Sequence, residues 1–284
     1  MNASPLIDVA TLARNRTRPD WIVVDCRFTL TQPAAGRASY DKGHIPGARY
    51  AHLDEDLSRK PGPAEGRHPL PDPAAFAATL GAWGIEPGHT VIAYDEGSGA
   101  IAARLWWLLR WLGHDRCAVL DGGFAAWVEA GHDVESHAPN VAARRYPVPE
   151  PRTDLVVTSR DLAAQQAAGA VVVDARAAAR YTGEQETIDP VAGHVPHARN
   201  RPFSSNVTPS GRFRPPGELR RELLELLAGR EPSRLIAMCG SGVTACQLLL
   251  AMEVAGLAGG RLYAGSWSEW IRDPSRPLAK GADR

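Results

Sequence analysis

Arg234-Leu235-Ile236-Ala237-Met238-Cys239-Gly240-Ser241-Gly242-Val243-Thr244-Ala245 runs from a short apolar stretch, through a loop stripped of bulk, into a long apolar helix pattern. Residues 234–238 are mostly apolar without alternation, which predicts a strand buried on both faces. Residues 243–255 predict a helix of about three turns. A buried strand feeding a helix is the building unit of a parallel α/β sheet. In the loop, two glycines and a serine allow successive backbone N–H groups to turn toward one point. The helix N-terminus behind them adds partial positive charge there. Cys239 stands at that point, a place that favours the thiolate, so the pattern predicts a nucleophile that needs no metal. The bland alternative is packing, the usual fate of a cysteine after a strand; the Gly-Ser-Gly segment and the helix favour the reactive reading. Cys246, two turns into the helix, and Cys26 and Cys117, on apparent strands, are read as packing. No Cys-x-x-Cys occurs, and no Cys/His spacing suits zinc, so no metal site is expected.

The chain is written twice, at an offset of about 150 residues. Leu6-Ile7-Asp8-Val9 matches Val156-Val157-Thr158-Ser159, each an apolar run followed by a helix cap candidate. Ile22-Val23-Val24-Asp25-Cys26-Arg27 matches Val171-Val172-Val173-Asp174-Ala175-Arg176. Gly43-His44-Ile45-Pro46-Gly47-Ala48-Arg49 matches Gly193-His194-Val195-Pro196-His197-Ala198-Arg199. Val91-Ile92-Ala93-Tyr94 matches Leu235-Ile236-Ala237-Met238, and Leu120-Asp121-Gly122-Gly123-Phe124 matches Tyr263-Ala264-Gly265-Ser266-Trp267. Five matches in the same order identify an internal duplication. Each half alternates short apolar strands with helical patterns, the signature of a mostly parallel sheet covered on both faces. In the first half strands are expected over 21–25, 90–94 and 117–120, and helices over 73–80, after the cap Asp72, and 100–112. The expected division is a first domain over 1–135, a linker rich in Pro, Ala and Arg over 136–152, and a second domain over 153–284.

The two copies differ at the decisive loop. Where the second has Cys239, the first has Asp95-Glu96-Gly97-Ser98-Gly99. A carboxylate cannot act as a sulfur nucleophile and opposes anion binding. The working site is therefore expected in the second half, with the first supplying a wall and groups to a cleft between them. His44 with His194, and Asp25 with Asp174, recur in both copies, including the inert one, so structural roles are expected for all four. From the residues alone, His68 reads either as a solvated loop histidine or as a functional group. Ser241 reads as a small helix-capping residue or as a proton relay. Trp106 and Trp107 read as helix packing. His197 stands where the first copy has Gly47, and nothing in the sequence accounts for it.

The chain has 284 residues, with 32 basic and 32 acidic side chains, so no global field favours nucleic acid or an anionic membrane. No apolar run is long enough for a membrane span or a secretory leader. Four irregularly spaced cysteines do not read as a disulfide framework, and a cytoplasmic setting is expected.

Taken together, the chain resembles the two-domain rhodanese-like sulfurtransferases. The carrying motifs are His44-Ile45-Pro46 and His194-Val195-Pro196, Asp121-Gly122-Gly123-Phe124, the ending Tyr263-Ala264-Gly265-Ser266-Trp267-Ser268-Glu269-Trp270, and the Cys239 loop. The resemblance implies an α/β fold of two tandem rhodanese-like domains, the first inert, and a persulfide on Cys239 held by the amides of Gly240, Gly242, Val243 and Thr244. The neutral loop is similar to that of 3-mercaptopyruvate-using members; thiosulfate-using members usually carry cations straight after the cysteine. By the same resemblance Ser241, His68 and Asp54 form a proton relay, and Arg180 grips the donor's carboxylate with its planar fork. A second arginine of the animal mercaptopyruvate enzymes has no counterpart in Glu184-Gln185-Glu186-Thr187-Ile188-Asp189-Pro190. The implied reaction is ping-pong sulfur transfer to cyanide, a small thiol or a protein thiol such as thioredoxin, without metal or organic cofactor. Thiosulfate:cyanide transfer on the same cysteine is the alternative. A cysteine phosphatase would need arginine six residues after Cys239, where Ala245 stands. A non-enzymatic persulfide-sensing or protein-binding module would need an unreactive Cys239.

Overall fold

The computed structural model describes residues 4–282, which divide into two compact units. The first comprises the chain up to Arg59 with Leu70–Arg152 and Pro209–Phe213; the second comprises Lys60–Pro69, Thr153–Thr208 and the chain from Arg214 onward. A short arm from each half of the sequence thus belongs to the unit built mainly by the other. His68 lies in one of these arms. Among the described residues, no helix is long and apolar enough to cross a membrane.

In the first unit, β1 (Leu6–Ile7), α1 (Val9–Asn15), β2 (Trp21–Asp25), α2 (Ala34–Lys42), β3 (Arg49–Tyr50), α3 (Pro73–Ala82), β4 (Thr90–Tyr94), α4 (Ala102–Trp111), β5 (Cys117–Leu120) and α5 (Gly123–Glu129) follow in order. The sheet order is β1-β5-β4-β2-β3, all parallel. In the second unit, α6 (Ser159–Ala167), β6 (Val171–Asp174), α7 (Ala178–Thr182), β7 (Arg199–Asn200), α8 (Pro216–Leu227), β8 (Leu235–Met238), α9 (Thr244–Val254), β9 (Arg261–Leu262) and α10 (Ser266–Trp270) give the parallel order β7-β6-β8-β9. The same order runs through both sheets, and a single bridge from Val156 to Leu262 stands where β1 would pair.

The central strands are buried almost throughout, as expected for sheets with helices on both faces. On one face of the first sheet, Val23, Ile92, Tyr94 and Leu120 pack with Leu12 of α1 and Trp127 of α5. The equivalent cluster in the second unit joins Val172, Ile236, Met238 and Tyr263 to Leu162 of α6 and Trp267 of α10. Trp127 and Trp270 occupy the same repeat position and are 1% and 3% exposed.

The expected elements stand at their places, with shifts that have local causes. Strand β8 starts at Leu235 because Pro232–Arg234 closes a 3-10 turn. Helix α3 is capped as expected, Asp72 accepting the N–H groups of Ala74 and Ala75. Helix α4 starts at Ala102, two residues late, because the N–H groups of Ile101 and Ala102 donate to the Asp95 carboxylate.

The residues repeated in both copies hold loops. His44 and His194 each donate from Nδ1 to a carbonyl, of Tyr40 (2.8 Å) and Tyr181 (2.9 Å), and stack on those rings at 3.9 and 3.7 Å. Asp25 pairs with Arg27 and Asp174 with Arg176, both at 2.7 Å and buried, and each arginine also donates to the carbonyl before the histidine. Cys26 and Cys246 are wholly buried and Cys117 partly so.

Candidate active site

Register places Cys239 and Asp95 at equivalent positions, since Asp25 pairs with Tyr94 and Asp174 with Met238, each the last residue before the loop. In the first unit the Asp95 carboxylate accepts four backbone N–H groups, from Gly97, Gly99, Ile101 and Ala102, at 2.8–3.1 Å. This loop shape therefore gathers amides around a negative group, and in the first copy that group is the chain's own. In the second unit the occupant is sulfur: Gly242 N–H donates to Cys239 Sγ at 3.2 Å. Gly242 has φ +77°, and a Cβ there would meet the Ala264 carbonyl oxygen at 2.2 Å, so only glycine fits.

Three backbone groups of the loop bond into the start of α10. Trp267 N–H donates to the Cys239 carbonyl (3.0 Å) and Ser268 N–H to the Gly240 carbonyl (2.9 Å). Cys239 N–H donates to Ser266 Oγ (3.0 Å), which donates to the Tyr263 carbonyl (2.9 Å). Ser266 sits at φ +54°, where the first copy has Gly123 at +56°. A side chain in that region costs about 1–2 kcal/mol, and two buried hydrogen bonds worth about 1 kcal/mol each offset it.

Ser241, 6% exposed, turns its hydroxyl to His68 Nδ1 at 2.7 Å. These residues are 173 apart in sequence, and the arm over 60–69 brings them together. Ser268 fixes that arm as well: its Oγ accepts Arg67 N–H at 3.0 Å. One residue therefore holds Gly240 through its N–H and the His68 arm through its hydroxyl. Ser268→Ala is expected to lower kcat about tenfold, since a displacement of the reacting groups well under 1 Å already costs this much. Measured in a His68→Ala background, the same substitution should cost far less, because the group it positions is gone.

Arg67 was not anticipated, although it adjoins His68. A methyl on Gly240 would lie 2.9 Å from Arg67 Nη2 and 3.5 Å from both Nη atoms of Arg180. Two guanidiniums thus flank the residue after Cys239. Arg180, in α7, pairs with Glu186 (2.9 Å) and Asp189 (2.9 Å), and Arg67 Nη1 pairs with the other Asp189 oxygen. Arg67 Nε is buried with no partner among the described residues. Burial pushes the Asp189 carboxyl up, against the pull of Arg67 and Arg180. Burial pushes Glu186 the same way, but the Asp189 N–H, the Arg180 guanidinium and the Ile188 N–H together hold it below the usual carboxylate range.

Among the expected site residues, Gly240, Ser241, Gly242 and Val243 form the loop with Cys239, and Thr244 opens α9. His68 and Arg180 stand beside that loop in the same unit. Asp54 lies in the first unit, on an exposed turn where its N–H donates to His52 Nδ1.

A parallel α/β unit with a tight loop between central strand and helix, present in two copies and carrying Cys239 in the second, defines the class. The Rhodanese-like domain family matches residues 8–130 and again 158–273. The chain belongs to the two-domain rhodanese-like sulfurtransferases. A Pseudomonas aeruginosa protein described as "Probable 3-mercaptopyruvate sulfurtransferase" is 46% identical over 286 residues, covering 99% of this chain and all of its own. The thiosulfate sulfurtransferase of Bos taurus is 33% identical over 258 residues, 89% of this chain and 86% of that one. The structure of 3-mercaptopyruvate sulfurtransferase from Leishmania major aligns with a TM-score of 0.84 at 32% identity, covering 95% of this chain and 75% of that one.

Proposed function

We propose that this protein moves a sulfane sulfur from 3-mercaptopyruvate, through a persulfide on Cys239, to cyanide or a thiol. The observation that carries the reading is the Gly242 N–H directed at Cys239 Sγ, in a loop whose sister copy closes on an internal carboxylate. The choice of donor is supported by the full-length relative at 46% identity and by the neutral loop over residues 240–244.

The Cys239 thiolate attacks the donor's thiol sulfur. An S–S bond forms, the C–S bond breaks, and its electron pair leaves with carbon as the enolate of pyruvate. The proton lost by the donor's thiol equals the one the pyruvate methyl gains, so the half-reaction needs only a relay. Ser241 Oγ, hydrogen-bonded to His68, supplies a proton to the enolate carbon and recovers one through the imidazole. Loop amides hold the persulfide anion. An acceptor then attacks the outer sulfur, the S–S bond breaks, and the Cys239 thiolate returns; cyanide leaves as thiocyanate. Arg180 and Arg67 bind the donor's carboxylate, with the unpartnered Arg67 Nε as one available donor. The part assigned to Asp54, orienting the relay, rests on the family resemblance.

Mass spectrometry of protein treated with 3-mercaptopyruvate and no acceptor should find one added sulfur on Cys239, removed by cyanide. No adduct, or one on Cys246 instead, overturns the proposal. A higher kcat/KM for thiosulfate than for 3-mercaptopyruvate overturns the choice of donor and leaves the persulfide intact.

A further inference from the structure

We infer that Asp189 is a specificity-determining residue: by bridging Arg67 and Arg180 it makes the donor site charge-balanced, and so selects a singly charged donor over a doubly charged one. The inference rests on the functional reading above.

Asp189 is the only carboxylate among the described residues paired with both guanidiniums that flank Gly240, one on each oxygen. Its side chain is 2% exposed, so water screens it little. Glu186 holds Arg180 from the other side and reaches Arg176, which Asp174 already neutralises. Three guanidiniums thus meet three carboxylates in one connected network with no net charge. Beside it stands a sulfur that must be negative to react.

An arriving anion is met by directed N–H donors but by no excess positive field. A carboxylate can take a fork-shaped pair of hydrogen bonds from such donors. A dianion such as thiosulfate carries a second charge into the same place, beside the thiolate, with nothing to cancel it. The loop offers no help, as residues 240–244 contain no cation. Neutralising Asp189 leaves the two flanking guanidiniums with a surplus unit charge. The geometry assigns the sign of the change: a surplus positive charge favours the dianion, and a deficit disfavours it.

The experiment measures kcat/KM for thiosulfate and for 3-mercaptopyruvate, with cyanide as acceptor, in wild type, Asp189→Asn and Arg67→Gln. Asp189→Asn should raise the thiosulfate:3-mercaptopyruvate ratio about tenfold, and Arg67→Gln should lower it. The gain in Asp189→Asn should shrink as salt is raised. Because the readout is a ratio within one protein, partial loss of folded enzyme cancels, and the opposed second variant covers failure of the first. A ratio unchanged within about twofold, or moved the same way in both variants, overturns the inference while the Cys239 persulfide stands. Wild-type protein that forms no persulfide with either donor overturns the functional reading and the inference with it.

Discussion

Cys239→Ser is expected to abolish sulfur transfer, lowering kcat/KM for every donor by roughly 10⁴-fold or more, as for other nucleophile deletions. The serine is nearly isosteric, so it should keep the Gly242 contact and the hydrogen bonds that tie the loop to α10. The loss would then be chemical. An oxygen in place of sulfur is a poor nucleophile toward a thiol and cannot form the S–S bond on which the mechanism depends. Thermal unfolding should change by no more than a few degrees, and the donor-treated variant should show no added sulfur. A serine variant that retains transfer would remove the basis for the whole mechanism.

Gly242→Ala is expected to have the next largest effect, about 100-fold or more in kcat/KM. The added methyl has no room, because its ideal position is 2.2 Å from the Ala264 carbonyl oxygen and φ is +77°. The backbone must move, and the group that moves is the one donating to Cys239 Sγ. Displacing such a group by about 1 Å can cost a hundredfold. Persulfide formation should slow more than the protein is destabilised, since the strain is confined to one turn. Gly47→Ala offers a comparison: it has a similar φ of +82° but open space around it. It should reduce stability by about 1 kcal/mol and leave the rate constants nearly unchanged.

Much of the architecture was legible in the residues. Strand β8 and helix α9 follow from apolar patterning, and the duplication follows from five ordered matches, because both signals are local in sequence. The loop was legible for the same reason: glycine at residue 242 permits a backbone that no other residue would, and the place of Cys239 follows from it. That the first copy carries Asp95 at the place of Cys239 was legible, although not that its carboxylate would gather four amides. Arg67 was overlooked because a basic residue in a Pro-rich stretch looks like solvated surface. Asp189 and Glu186 registered only as the absence of a second arginine. Ser266 and Ser268 sat inside a recognised motif without a role of their own.

By itself, then, the sequence determined the doubled parallel α/β architecture and the strand-to-helix loop in which Cys239 stands. These depend on short-range periodicity and on the backbone freedom of single residues. Only the tertiary structure decided that the arm bearing Arg67 and His68 belongs to the second unit, that Ser268 fastens it, and that Asp189 spans two arginines. His68 meets Ser241 across 173 residues of chain and Arg67 meets Asp189 across 122. Contacts of that span leave no periodic trace, because they are selected by how whole elements pack and not by what stands next to what.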